Sequence, residues 1–167
     1  MMTTTDVKPY KVGDVVEDFV LPDVDGVEHR FHDLTGDWTL LYFTTTWCPY
    51  CVAEAPYLEA ELAAGFADRG LNLVVVDVKE PAAVARTLPE RFGWTSPFLV
   101  DETGTVSERF APQKEGLAPE VAIINAHMVL DRDRVIRFAE YLNMERFDIH
   151  AIAVKAAIEE LMEADHA

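Results

Sequence analysis

The chain has only two cysteines in 167 residues and far fewer basic than acidic side chains. Its longest apolar stretches, such as Leu40 to Phe43 and Leu73 to Val76, fall well short of the roughly 18 residues a membrane-spanning helix requires. Two cysteines cannot build a disulfide scaffold. Four-coordinate zinc would need two further ligands, and no second C-x-x-C or H-x-x-x-H pair exists to supply them. Fourteen Lys and Arg stand against thirty Asp and Glu, a net charge of −16 that repels phosphate backbones and anionic head groups. Nucleic acid and membrane surfaces are therefore poor candidate partners. The acidity itself suits a solvated surface, a high-salt habitat or the steering of a basic partner.

The start, Met1 to Asp6, has neither the basic residues nor the apolar run of a secretory signal, so the chain as written is expected in the cytoplasm. Removal of a signal would leave a similar start, and the expected compartment would then be the periplasm or the cell exterior. Half the residues are apolar and 26% are charged, the balance of a globule with a core of its own. At about 150 residues per domain, one domain over residues 1–167 is expected, with residues 1–12 as a flexible N-terminal arm.

The cysteines are Cys48 and Cys51, and two residues placed at random in a chain this long fall three apart only about once in 85 placements. A lone C-x-x-C beside a strand-helix-strand pattern reads as a redox couple. That pattern is present. Trp38 to Thr46 is dense in β-branched and aromatic residues and predicts a buried strand running into the motif. From Pro49 the stripe Cys51, Ala55, Leu58, Leu62 and Phe66 predicts an amphipathic helix ending near Gly70, kinked by Pro56. Leu71 to Val78 predicts a second buried strand, completing a right-handed βαβ unit.

Before this unit, Phe19 to Leu21 and Val27 to Phe31 flank Asp23 to Gly26 and predict a β-hairpin. After it come a helix from Glu80-Pro81 to Phe92, an extended piece from Pro97 to Asp101, and a turn over Asp101 to Gly104. Val121 to Leu130 and Val135 to Leu142 predict antiparallel strands around Asp131 to Arg134, and a helix from about Glu145 closes the chain.

A cysteine at the first helical turn faces unpaired N–H groups and the positive end of the helix dipole, which favour thiolate. Cys48 is thus the expected nucleophile. Cys51, one turn further in on the apolar stripe, is the expected resolving thiol, because burial disfavours its charge. Glu54, three residues on, shares that inward face, where a partly desolvated carboxyl could exchange a proton with Cys51; a residue at the stripe's edge is the alternative. Trp47 and Tyr50 either line the lip of the site or pack in the core. The five histidines show no metal-ligand spacing and read as surface or ordinary packed residues.

From Val12 to Asp101 the chain resembles the TlpA-like and AhpC/TSA-like redoxin branch of the thioredoxin superfamily. The matching residues are Gly13-Asp14, Phe19-Val20-Leu21, Asp25-Gly26, Asp33-Leu34, Gly36, Trp47-Cys48-x-x-Cys51-x-x-Glu54-x-Pro56 and Phe98-Leu99-Val100-Asp101-x-x-Gly104. Asp131-Arg132-Asp133 and Val135-Ile136 extend the likeness over nearly the whole chain. The resemblance implies an α/β thioredoxin fold, a central mixed sheet flanked by helices with the hairpin as an N-terminal extension. It also implies a thiol-disulfide oxidoreductase acting on protein thiols and disulfides, supplied by an upstream thiol reductant or oxidant and needing no bound cofactor or metal. Glu54 takes the place of the family's buried carboxylate, and Pro49-Tyr50 is similar to the glutaredoxin dipeptide, which adds a glutathione-linked variant.

The family's cis-proline, which receives substrate, has two possible counterparts. If the facing strand is Val121 to Asn125, Pro119 fills the place; if it is His127 to Leu130, the place falls near Asn125 and no proline fills it. The second register gives the shorter hairpin and is preferred. Trp47, Pro49, Tyr50 and Asn125 are then the expected substrate-binding residues. Peroxiredoxins need P-x-x-x-[T/S]-x-x-C, of which this chain has Thr45 but Leu41 in place of the proline. A thiol peroxidase is accordingly the runner-up, and a non-catalytic module that carries copper or docks a partner is a third reading.

Overall fold

The computed structural model describes residues 8–165. Its centre is a five-stranded sheet in the order β5-β4-β3-β6-β7, formed by β3 (Trp38–Thr44), β4 (Leu71–Val78), β5 (Phe98–Asp101), β6 (His127–Leu130) and β7 (Ile136–Glu140). β3 pairs parallel with β4, and β4 with β5, whereas β6 runs antiparallel to both β3 and β7. All seven residues of β3 are buried, as a central strand covered on both faces requires. The expected hairpin is a separate two-stranded sheet, β1 (Val20–Pro22) with β2 (Glu28–Arg30), followed by the short α1 (Phe31–Leu34). Asp23 bridges it to Leu99 on the edge strand β5.

The alternation of β3 and β4 sorts the core into two layers. Leu40, Tyr42, Leu73 and Val75 point to one face, where they meet Leu58, Leu62 and Phe66 of the long helical segment and Val154 and Ile158 of α7 (Ile152–Asp165). Leu41, Phe43, Val74 and Val76 point to the other and meet Phe31, Phe110 and Ile123. This is the mixed sheet flanked by helices that the resemblance implied. No helix among the described residues is long and apolar enough to cross a membrane.

The helix expected from Pro49 to Gly70 is helical to Arg69 but not uniform. It runs as α2 (Pro49–Tyr57), a π-helical stretch over Leu58–Ala63, α3 (Ala64–Phe66) and a 3-10 turn over Ala67–Arg69. Pro56 explains the break, because without an N–H it cannot bond the Val52 carbonyl and the following turn widens. Trp94 Nε1 donates to the nearby Ala55 carbonyl at 3.1 Å. Gly70, at φ 88°, reverses the chain into β4 with the backbone freedom glycine supplies.

Several expected boundaries move. The helix from Glu80-Pro81 divides into α4 (Ala82–Ala85) and α5 (Thr87–Phe92). The strand expected from Val121 starts only at His127, since Pro119 opens the one-turn α6 (Pro119–Ala122) at its first position, where its missing N–H is harmless. The last helix begins at Ile152 rather than near Glu145. Asp148 holds back the start by accepting from the backbone N–H groups of His150 and Ile152, at 3.0 and 3.1 Å. Of the expected arm, residues 1–7 lie outside the described residues. Tyr10 is pinned, its N–H donating to the Arg109 carbonyl at 2.8 Å and its ring 4.7 Å from Phe110.

Asp77 sits on the helix-covered face of β4, in register with Thr44, fully buried and with neither carboxylate oxygen hydrogen-bonded. Burial, followed by the neighbouring Glu80 and Asp101 carboxylates, raises its pKa to about 10. The folded protein thus holds a proton that the unfolded chain releases above about pH 4, so this side chain removes stability as pH rises from there towards 10. Asp77→Asn, which resembles the protonated form, is expected to raise stability at pH 8 by about 1–3 kcal/mol, with little gain at pH 4. Urea unfolding at the two pH values measures the difference.

Candidate active site

The site forms where β3 ends and α2 begins. Cys48 is the residue capping α2, with φ −80° and ψ 116°, and Pro49 opens the helix with a φ already suited to it. The Cys48 sulfur does what a Ser or Asp oxygen does at other helix starts, accepting from the Cys51 backbone N–H at 3.4 Å. The Cys51 side chain, with the backbone N–H groups of Cys51 and Tyr50, lowers the Cys48 pKa to about 6, against the opposing pull of burial and of Glu54. Burial, then the adjoining Cys48 sulfur, drives the Cys51 pKa well above the ordinary thiol value. Both cysteines are unbonded to each other and buried. The electrostatic asymmetry is the one expected from their places on the helix.

Beneath Cys51 lies a closed polar group that extends from α2 to β3 and β6. Glu54 is only 1% exposed, so the edge-of-stripe alternative does not hold. Its Oε2 lies 2.6 Å from His127 Nε2, and its Oε1 accepts from Asn125 Nδ2 at 3.3 Å. The same Asn125 nitrogen is 3.0 Å from the Tyr42 hydroxyl and 3.7 Å from the Cys51 sulfur. The rings of Tyr42 and His127, which pair in register across β3 and β6, are 4.7 Å apart. Burial, with the charges of Cys51 and Glu54, holds the Tyr42 phenol well above its ordinary pKa.

Because β6 starts at His127, the position ahead of the strand that faces the cysteines is Asn125, in the preferred register. Asn125 has φ 66°, a left-handed conformation that asparagine tolerates, and its N–H donates to the Phe43 carbonyl at 2.8 Å. Its side chain, expected on the substrate-facing rim, instead turns inward and is buried. Trp47 is 60% exposed and stands at the lip. Pro49 is also exposed, whereas Tyr50 is half-buried against the cysteines and Ile124, its ring edge-on to Phe147 at 5.0 Å.

The sequence reading missed two members of the buried group. His127 is not an ordinary packed histidine, and its position inside the apolar run Val121 to Leu130 was the available signal. Tyr42 shares with Thr44 the strand face that meets α2, a parity that could have marked it. Thr45, the half-match to the peroxidase motif, is buried with its hydroxyl unpartnered. Among the described residues no three of His, Cys, Asp and Glu converge as metal ligands.

The AhpC/TSA family model matches residues 12–139. The chain is 39% identical over 95 residues to thiol-disulfide oxidoreductase ResA of Geobacillus thermodenitrificans, a match covering 57% of this chain and 54% of that protein. The chain thus spans about half the length of the curated relatives it matches. Among solved structures, peroxidoxin BcpB from Mycobacterium tuberculosis superposes with a TM-score of 0.71 at 29% identity, over 92% of this chain and 97% of that one. The thioredoxin domain of a thiol-disulfide oxidoreductase from Bacteroides vulgatus gives 0.65 at 19% identity, over 89% and 99%. These likenesses show the thioredoxin fold.

The Cys48 sulfur is enclosed, so its absolute reactivity depends on access, but the pH midpoint of that reactivity reads its charge alone. Iodoacetamide alkylation of Cys48, followed by mass, is expected to rise with pH around a midpoint near 6. A midpoint between 8 and 9, where a free thiol titrates, would contradict the geometry described.

Proposed function

This chain belongs to the AhpC/TSA family, and from that membership we propose that it is a thiol-disulfide oxidoreductase acting through a Cys48–Cys51 dithiol/disulfide couple. The observation that carries the reading is the unequal environment of two thiols one helical turn apart. Cys48 is held as thiolate at neutral pH by donors at the helix start, and Cys51 is kept protonated by burial.

In the oxidative direction towards the protein, the Cys48 thiolate attacks a substrate disulfide and one substrate sulfur leaves with the electron pair. Cys51 then gives up its proton and attacks the Cys48 sulfur of the mixed disulfide, forming the intramolecular bond and releasing the second substrate sulfur. Read backwards, the same steps oxidise a substrate dithiol. Glu54 is placed to take the Cys51 proton, as its Oε1 and the Cys51 sulfur share Asn125 Nδ2 as a neighbour. Trp47 and Pro49, exposed on either side of Cys48, are the rim against which a polypeptide substrate rests. Protein thiols and disulfides are the proposed substrates, with a separate thiol system restoring the couple.

Cys48→Ser is expected to abolish exchange with a model protein disulfide, whereas Cys51→Ser is expected to accumulate the mixed disulfide on Cys48, seen as a reducible adduct by mass. Normal turnover by Cys51→Ser would reverse the assigned roles. Thr45 and the likeness to a peroxidoxin motivate one further arm: peroxide consumption that persists in Cys51→Ser would move the reading to a thiol peroxidase.

A further inference from the structure

A histidine that serves only packing in a sheet interior has both ring nitrogens to satisfy, and an aliphatic side chain would fill the space without that burden. His127 spends one nitrogen on Glu54 at 2.6 Å and leaves Nδ1 buried with no partner. An unsatisfied buried nitrogen costs about 1–3 kcal/mol, so packing alone is a poor account of a histidine here. Both members of the pair are buried, with side chains 3% and 2% exposed. Oε2 of Glu54 is therefore committed to His127, and Oε1 is the oxygen turned to Asn125 and the Cys51 side.

We propose that His127 is a positioning residue for the resolving step, holding Glu54 so that its other oxygen, Oε1, takes the Cys51 proton and returns it in the reverse direction. The inference rests on the oxidoreductase reading and deepens it. As Cys51 attacks, its S–H bond breaks and the proton passes to Glu54 Oε1; the Cys51 sulfur bonds the Cys48 sulfur, and the electron pair of the broken disulfide leaves on the substrate sulfur. A His127 nitrogen 2.6 Å from Oε2 fixes the orientation of the carboxyl, which is what a positioning role requires.

Other titratable groups also surround the pair. Tyr42 faces it from β3, and Glu140 on β7 is the register partner of His127. A cavity of about 1020 Å³ borders Glu54, Asn125 and His127, and Lys114, Glu145, Arg146 and Asp148 lie on its wall. His127 bonds Glu54, so its loss acts first on the Glu54 side. Comparing the two steps in one protein separates the effects.

Reaction of the reduced protein with 5,5′-dithiobis(2-nitrobenzoate) does so, since Cys48 attack releases one coloured thiolate and Cys51 resolution releases a second. In His127→Phe the first phase is expected to keep its pH midpoint near 6, which also reports that the site has folded. The second phase is expected to slow about tenfold at pH 7, because the Glu54 carboxyl no longer holds its place beside Cys51. His127→Gln, whose amide can donate to Oε2, is expected to recover most of the rate. In a Glu54→Gln background, His127→Phe is expected to add nothing. A second phase unmoved in His127→Phe, equal loss in His127→Gln, or a full additional loss in Glu54→Gln would each overturn the proposal. Wild-type protein that released no second equivalent would instead refute the exchange reading, and the inference with it.

Discussion

A helix that begins where a buried strand ends leaves its first N–H groups without carbonyl partners, and in this protein the Cys48 sulfur meets that shortage. The strand supplies rigidity, since every residue of β3 is buried and bonded to β4 or β6. Pro49 supplies a helix start that needs no donor of its own. What remains is a set of N–H groups aimed at a sulfur, and a sulfur so placed is better as an anion than as a thiol. Cys51, one turn along, must then be carried under the surface by the same helix, so the helix geometry alone separates the two thiols in charge.

The polar side chains around Cys51 follow from that burial. A thiol deep in an apolar layer has nowhere to place a proton unless polar groups are buried with it, and these come from three places: Glu54 from α2, Tyr42 from β3, and Asn125 and His127 from the approach to β6 and its first residue. Their hydrogen bonds are mutual, which limits the cost of burying them. Asp77, on the other flank in register with Thr44, is a carboxyl with no partner at either oxygen. Its neutral form is the one the fold accommodates.

The sequence was most informative where local pattern and tertiary position agree. Cys48, Cys51 and Glu54 lie on one helical stripe, so spacing alone placed Glu54 beside Cys51. The βαβ unit was legible for the same reason, as β-branched runs and an amphipathic stripe are local signals. Asn125 and His127 were different. They lie in an apolar run that reads as one continuous strand from Val121, and only tertiary contacts divide it: Pro119 opens a helical turn, and Asn125 adopts positive φ while bonding Phe43. His127 reaches Glu54 across 73 positions of sequence, a separation no periodicity reports. The late start of α7 was hidden likewise, because the Asp148 side chain takes backbone donors that the stripe assigned to a helix.

The central claim is that the two cysteines form a single redox couple. Equilibrating the protein in glutathione buffers of stepped potential, then alkylating free thiols and weighing the products, tests it most directly. The account predicts one two-electron transition in which both thiols disappear together into an intramolecular disulfide. No such disulfide at any potential, or a glutathione adduct on Cys48 that Cys51 never displaces, would contradict it.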